Sequence, residues 1–165
     1  SRGLGDVYKR QVLRLAERTA FYAMFGIGSY TVARYKVIWK RMSNDISATV
    51  ISQFKTPFGY KTIVPTDTTS LIATDNENEA HYICAILNSN AVRLFIKSFS
   101  SAGRGFGTPS VMEHLKLDKF DKNNTIHSCL SNLSKTLHSI DPTHNLDKIN
   151  KFEDDLEQLI KKIYL

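Results

Sequence analysis

The sequence predicts an α+β fold: a twisted, mostly antiparallel sheet with packed helices and a C-terminal helical hairpin. Three observations predict this class. Short runs of β-branched and aromatic residues, with turn signals between them, occupy residues 32–74. Apolar residues recur at helical spacing over residues 80–99 and again over residues 126–163. The turn sequence at residues 141–145 divides the last stripe into two helices, which predicts the hairpin.

Four runs in the first half of the chain are predicted as strands, over residues 32–42, 46–54, 62–65 and 70–74. The first run alternates apolar and basic residues, so we expect one apolar and one cationic face. That cationic face is also compatible with an ordinary solvated strand. Trp39 is expected in the core, with base stacking as the alternative. We expect a turn at Pro57-Phe58-Gly59, and a strand or mixed segment over residues 111–119.

Local signals predict where the helices of the second half begin and end. Asn76 is expected to be an N-cap, and Glu79 follows at the spacing of a capping box. The Asn88-Ser89-Asn90 sequence ends this helix, and a second helix follows up to Phe99. The apolar stripe of the third helix comprises Ile126, Cys129, Leu130, Leu133, Leu137 and Ile140, and that of the fourth comprises Ile149, Phe152, Leu156, Leu159, Ile160 and Ile163.

Charge and cysteine content limit the classes of partner and compartment. The formal net charge of +6 and the pI of about 9.3 favour an acidic partner, nucleic acid first. The sequence contains neither an apolar run long enough to span a membrane nor a visible signal peptide, so we expect a cytoplasmic protein without a membrane partner. Cys84 and Cys129 each fall on an apolar stripe, which indicates core thiols in a reducing compartment; a disulfide between them is the alternative.

Residues 100–110 form the most distinctive stretch of the chain. Gly103, Gly105 and Gly107 alternate with Arg104 and Phe106. Glycines allow the backbone to approach a ligand closely, arginine suits phosphate or guanine, and phenylalanine suits a base or sugar face. The stretch therefore favours a nucleic-acid contact, with a mobile surface loop as the alternative.

The sequence contains no recognisable catalytic constellation. Its five histidines are scattered, no His or Cys spacing fits zinc, and no serine stands in a nucleophile-elbow setting. Neither glycine-rich stretch has the spacing of a dinucleotide-binding motif. We therefore predict no catalytic residues and no metal ligands in this chain.

Several stretches together resemble the C-terminal specificity region of gamma-type adenine-N6 DNA methyltransferases, similar to the TaqI and Eco57I groups, which belong to restriction–modification systems. The resemblance covers residues 12–140, and it departs from the family at Arg34, where a proline is expected before Tyr35-Lys36. The matching stretches are residues 21–31, 33–37, 63–65, 79–82, 85–89, 103–107 and 119–121.

This resemblance implies a target recognition domain that binds duplex DNA while a separate catalytic domain holds the flipped adenine. The chain lacks an Asn-Pro-Pro-Tyr-type motif and the glycine motif for S-adenosylmethionine, so we expect no methyl transfer and no cofactor in this chain. S-adenosylmethionine is expected in the upstream methyltransferase domain, which is the implied protein partner. We therefore interpret the chain as part of a prokaryotic methyltransferase.

The resemblance and the composition divide the chain into four parts. Residues 1–11 resemble translated sequencing-adapter DNA, and we expect them to be a non-native tail on a metagenomic fragment. Residues 12–20 are expected to be the end of an upstream linker helix. Residues 21–121 are expected to form the DNA target recognition domain, and residues 122–165 the helical hairpin.

The expected DNA contacts fall into two groups. Lys36, Lys40, Arg41 and Lys61 are expected to contact mainly phosphate. The residues expected in or near a groove are Tyr30, Ser100, Ser101, Arg104 and Thr108. Two other functions remain open: a specificity subunit of a multi-subunit restriction system, and a protein-interaction module that uses the helical hairpin as its surface.

Overall fold

The computed structural model describes residues 28–66, 68–99, 108, 112–141, 143 and 145–164. The expected tail over residues 1–11 and the linker helix over residues 12–20 lie outside these described residues. So does most of the glycine-rich stretch between residues 100 and 110, apart from Thr108.

The central sheet has three strands in the order β2-β1-β5, and every neighbouring pair is antiparallel. β1 lies in the middle, where Trp39 pairs with Ala48 on one side and with Ser70 on the other. A separate antiparallel hairpin, β3–β4, is inserted between β2 and β5. The elements of this half are a short helix α1 (Ser29–Val32), β1 (Tyr35–Lys40), β2 (Ala48–Ile51), β3 (Phe54–Thr56), β4 (Gly59–Lys61) and β5 (Thr69–Thr74).

Three of the predicted strands are wrong in their extent or existence. The run over residues 32–42 is shorter than predicted, because Val32 ends α1 and β1 spans only Tyr35–Lys40. The run over residues 46–54 divides into β2 and the start of β3, and the run over residues 62–65 is not a strand. Ile63 and Val64 remain exposed, because β5 already occupies the second edge of β1 and β4 pairs only with β3. Residues 112–119 are likewise not a strand: Met112 is helical, residues 113–114 form a turn and residues 115–119 are irregular. Strand propensity alone therefore does not decide which run finds a pairing partner.

Four longer helices follow the sheet: α2 (Glu77–Leu87), α3 (Asn90–Phe99), α4 (Thr125–Ser139) and α5 (Leu146–Tyr164). Asn76 caps α2 as predicted, because its side chain accepts hydrogen bonds from the backbone N–H groups of Asn78 and Glu79. The reciprocal half of the capping box does not form. The Glu79 carboxylate instead accepts from the Thr74 hydroxyl, and the Asn76 N–H donates to the same hydroxyl oxygen.

α2 forms the middle layer of the fold, between the sheet and α4. It is buried nearly all round, and His81 on the side that packs on α4 lies with its Nδ1 3.1 Å from the hydroxyl of the buried Ser134. α3 packs on α2 and α5, so of these two helices α2 is the one that lies against the sheet. α5 packs on α4, as expected for the helical hairpin. In the described part of the chain, no helix combines the length and the apolar character needed to cross a membrane.

Of the two cysteines, only one lies in the core. Cys84 is buried, its thiol donates to the carbonyl oxygen of Ala48 at 3.4 Å, and burial raises its pKa to about 11. Cys129 is exposed, so the prediction of a second core thiol is wrong, and both thiols are free. The buried residues of α4 are instead His127, Leu130, Ser131 and Ser134. Three of these four are polar, so the pattern of apolar residues does not predict their burial.

Candidate nucleic-acid interface

The β3–β4 hairpin is closed by a turn that its own residues hold in place. The Thr56 hydroxyl donates to the carbonyl oxygen of Gly59 at 2.7 Å and accepts from the backbone N–H of Phe58 at 3.3 Å. Pro57 has its φ fixed by its ring, and Gly59 has a φ of +113°, a conformation that favours glycine. The turn therefore presents Phe58 at the tip of the hairpin in a restricted backbone conformation.

Each face of the hairpin carries one aromatic and one cationic side chain. Phe54 is directly opposite Lys61, and Lys55 is directly opposite Tyr60. Residues opposite each other share a face and successive residues alternate, so the two pairs lie on opposite faces. The exposed fractions are 63% for Phe54, 68% for Tyr60 and 95% for Phe58. Because neither face is covered, the hairpin presents apolar and cationic groups together on both sides.

Basic residues are concentrated in the half of the chain that contains this hairpin. Residues 28–66 include six Lys or Arg residues and one acidic residue, Asp45. Residues 112–164, which contain α4 and α5, include eight basic and nine acidic residues. The positive charge of the described residues therefore resides on the sheet and the hairpin, not on the helices.

Lys36 is a correction to the expected cationic strand face. Its side chain is only 2% exposed, and its ammonium donates to the carbonyl oxygen of Ala33 at 2.8 Å. Burial lowers the pKa of Lys36, and the nearby Asp75 carboxylate opposes this effect in part. The alternation of residues around it did not reveal this burial, because β1 is the central strand and is covered on both faces at this position. Lys36 is not accessible to a phosphate in this conformation.

The other expected phosphate ligands belong to two different parts of the fold. Lys40 is exposed at one end of β1, and the half-buried Arg41 follows it. Lys61 belongs to the hairpin. The chain enters the hairpin after Ile51, which pairs with Lys36 near the other end of β1. Lys36 and Lys40 are four positions apart along the strand, a distance of roughly 13 Å. Lys40 and Arg41 are therefore placed apart from the point where the hairpin that carries Lys61 begins.

The remaining expected contact residues are only partly described. Tyr30 lies on α1 and is 44% exposed. Thr108 is half-buried, and its carbonyl oxygen accepts from the backbone N–H of Met112 at 3.2 Å. Ser100, Ser101 and Arg104 lie outside the described residues, so their expected roles stay predictions.

Sequence reasoning missed four residues of the hairpin: Phe54, Lys55, Phe58 and Tyr60. A signal was present, because aromatic and lysine residues surround the Pro57–Gly59 turn on both sides. The same residues could equally have formed a buried strand with an apolar face. Only the exposure of both faces distinguishes a projecting hairpin from a strand of the core sheet.

The histidines near the centre of the molecule have structural roles. The Nδ1–H of His138 donates to the Ser134 carbonyl oxygen at 2.7 Å, so its Nε2 accepts from the backbone N–H of Val50 at 3.0 Å. His81 lies beside it, with Nδ1 3.1 Å from the Ser134 hydroxyl. Within the described ranges, no three His, Cys, Asp or Glu side chains are placed to hold a metal ion.

A groove of about 780 Å³ lies where β2 meets α4 and α5. Its charged lining residues are of both signs, and one pair, Arg93 and Asp45, is joined at 3.0 Å. Mixed charges that neutralise one another do not select a particular class of ligand. The hairpin, not this groove, is therefore the candidate interface.

No protein-family model matches this chain, and no curated protein matches it in sequence. We therefore infer its function from the surface of the hairpin, the distribution of charge and the sequence resemblance.

Proposed function

We propose that this chain binds duplex DNA as the target recognition domain of a site-specific adenine-N6 DNA methyltransferase. The observation that carries the DNA-binding part is the β3–β4 hairpin, which exposes an aromatic and a lysine side chain on each face. Lysine ammonium groups bind phosphate, and aromatic rings pack on sugars and bases. The basic excess of residues 28–66 supports the same partner.

The methyltransferase part of the proposal depends on the sequence resemblance. In this proposal the chain supplies DNA affinity and sequence preference, whereas an upstream domain binds S-adenosylmethionine and transfers the methyl group in the cytoplasm.

The structure does not favour the helical hairpin as the main interaction surface. The buried face of α4 packs on α2, with Leu130, Ser131 and Ser134 in that contact layer. The face that a partner helix would need is therefore already used inside the molecule.

The proposal is tested by fluorescence anisotropy of the full chain with a labelled duplex of about 30 base pairs and mixed sequence, between about 50 and 300 mM KCl. We expect the logarithm of the affinity to fall linearly with the logarithm of the salt concentration. The double variant Lys55→Gln/Lys61→Gln should reduce the magnitude of this slope by about 1.8, since each phosphate contact contributes about 0.9.

The matched control is Lys148→Gln/Lys151→Gln, which removes the same charge from exposed positions of α5. This control should leave the slope unchanged. Absence of salt-dependent binding, or equal losses in both double variants, would contradict specific use of the hairpin and indicate general attraction of a basic chain to a polyanion.

A further inference from the structure

We propose that the β3–β4 hairpin enters the major groove of duplex DNA tip first. Phe58 then contacts thymine methyl groups on the groove floor, while Lys55 and Lys61 contact phosphates of opposite strands. This inference rests on the proposed DNA binding, and it adds which groove is entered and which side chain touches the bases.

The thickness of the hairpin selects the groove. A single sheet with side chains on both faces occupies about 10 Å, the distance at which stacked sheets pack. Side chains project from both faces here, because Phe54 and Lys61 share one face and Lys55 and Tyr60 share the other. The major groove of B-form DNA is about 12 Å wide and admits a two-stranded ribbon, whereas the minor groove is only about 6 Å wide.

The distance from the tip to the lysines matches the depth of that groove. Lys55 and Lys61 each stand three residues from Phe58, with Lys55 one pair nearer the tip than Lys61. At about 3.3 Å per residue along a strand, both lysines lie roughly 7–10 Å behind the tip. The major groove is about 8.5 Å deep. When Phe58 reaches the floor, the lysines are therefore level with the phosphates at the rim.

The two lysines point to different walls of the groove. They lie on opposite faces of the hairpin, because alternate residues of a strand face opposite ways and Lys55 pairs with Tyr60 while Lys61 pairs with Phe54. Each wall of the groove is formed by the backbone of one strand. Lys55 and Lys61 thus contact opposite strands, with Tyr60 and Phe54 beside them against the sugars.

The side chains at the tip determine which feature of the base pairs the hairpin recognises. Pro57 and Phe58 have no side-chain hydrogen-bonding group, so they cannot match the donor and acceptor pattern of the base edges. The apolar feature on the floor of the major groove is the C5-methyl group of thymine. Phe58 is 95% exposed before binding, and its turn is held by the two hydrogen bonds of Thr56, so this contact requires little reordering of the backbone.

The base contact is tested with two polymers that differ only in that methyl group, poly(dA–dT) and poly(dA–dU). The wild-type chain should bind the uracil polymer about fourfold more weakly, the loss expected for one buried methyl group. Phe58→Ala should bind both polymers equally and keep its thermal stability, since Phe58 contributes nothing to the core. Leu146→Ala, which truncates another largely exposed apolar side chain at the start of α5, should keep the wild-type preference.

The groove is tested by competition, with methyl green as a major-groove ligand and netropsin as a minor-groove ligand. We expect methyl green to displace the chain from poly(dA–dT) and netropsin to leave it bound. Displacement by netropsin alone, or a Phe58→Ala variant that retains the preference for thymine, would overturn the groove assignment and leave duplex binding intact. Failure to bind any duplex in a salt-dependent manner would instead overturn the proposed function itself.

Discussion

At the scale of single residues, His81 is a titratable side chain whose pKa is shifted mainly by burial. It lies between α2 and α4, with its ring edge-on to that of His138 at a centroid distance of 4.9 Å. Burial lowers the pKa of His81 to about 4; His138 when it is protonated, and Lys135, act in the same direction, while Glu77 opposes them. His81 is therefore neutral near pH 7 and acts as a packed, hydrogen-bonded group of the core.

This shift predicts a loss of stability in mild acid. Between pH 6.5 and about 4, the unfolded chain binds a proton at His81 that the folded chain does not, so the free energy of unfolding falls as the pH falls through this window. The urea unfolding midpoint should decrease from pH 7 to pH 4.5. His81→Gln should flatten this dependence, whereas His114→Gln, at an exposed position, should keep it. A midpoint that does not change with pH in the wild type would contradict the prediction.

Lys36 leads to a second prediction at this scale. Its ammonium is buried with one carbonyl partner described, so its desolvation is incompletely compensated. Lys36→Met keeps the long side chain and removes the charge, and we expect it to raise the free energy of unfolding by about 1 kcal/mol. Because Lys36 is inaccessible, duplex affinity and its salt dependence should stay unchanged. Denaturant unfolding and the anisotropy assay check the two parts, and a weaker salt dependence would show that Lys36 contacts phosphate after all.

At the scale of elements, the outer edge of β2 is closed by side chains of two helices. The backbone N–H of Ala48 donates to the Asn88 side-chain oxygen at 2.8 Å, and the Asn88 amide donates back to the Ala48 carbonyl oxygen at 2.9 Å. His138 accepts from the next outward N–H, that of Val50. These contacts satisfy backbone groups that an edge strand otherwise leaves open to pairing with another chain.

Replacing Asn88 should therefore expose this edge. Asn88→Ala removes both hydrogen bonds to Ala48, and we expect the free energy of unfolding to fall by about 2 kcal/mol, because the Ala48 N–H loses its partner and the Ala48 carbonyl oxygen keeps only the weak Cys84 thiol donor. Static light scattering should also show more self-association than in the wild type. Asn150→Ala, at an exposed position of α5, is the control and should change neither quantity appreciably. Wild-type stability of Asn88→Ala would mean that the edge is satisfied in another way.

At the scale of the whole molecule, the described chain has a charge-balanced helical part and a basic part formed by the sheet and hairpin. The buried residues of β1, β2, α2, α3, α4 and α5 form one hydrophobic cluster, and the exposed aromatic residues of the hairpin are not in it. Stability and the proposed DNA binding thus depend on different residues. This separation is why substitutions in the hairpin can test binding without loss of the fold.

Local signals in the sequence predicted much of this architecture. The cap at Asn76, the turn at Pro57–Gly59, the core position of Trp39 and the strand at β5 all agree with the structure. Caps and turns depend on side chains within a few residues, and a strong apolar period depends on one element only. The expected contacts at Ser100, Ser101 and Arg104 stay predictions.

By itself, the sequence determined the class of the fold, the order of its main elements and the excess of basic residues, because composition and periodicity are properties of the chain alone. Only the tertiary structure decided which side chains meet solvent. Lys36 is buried while Phe58 and Cys129 are exposed, since burial depends on which layer lies against an element and not on the element's own pattern. The candidate interface arises from the same cause, because β3 and β4 pair with each other outside the three-stranded sheet and keep both of their faces uncovered.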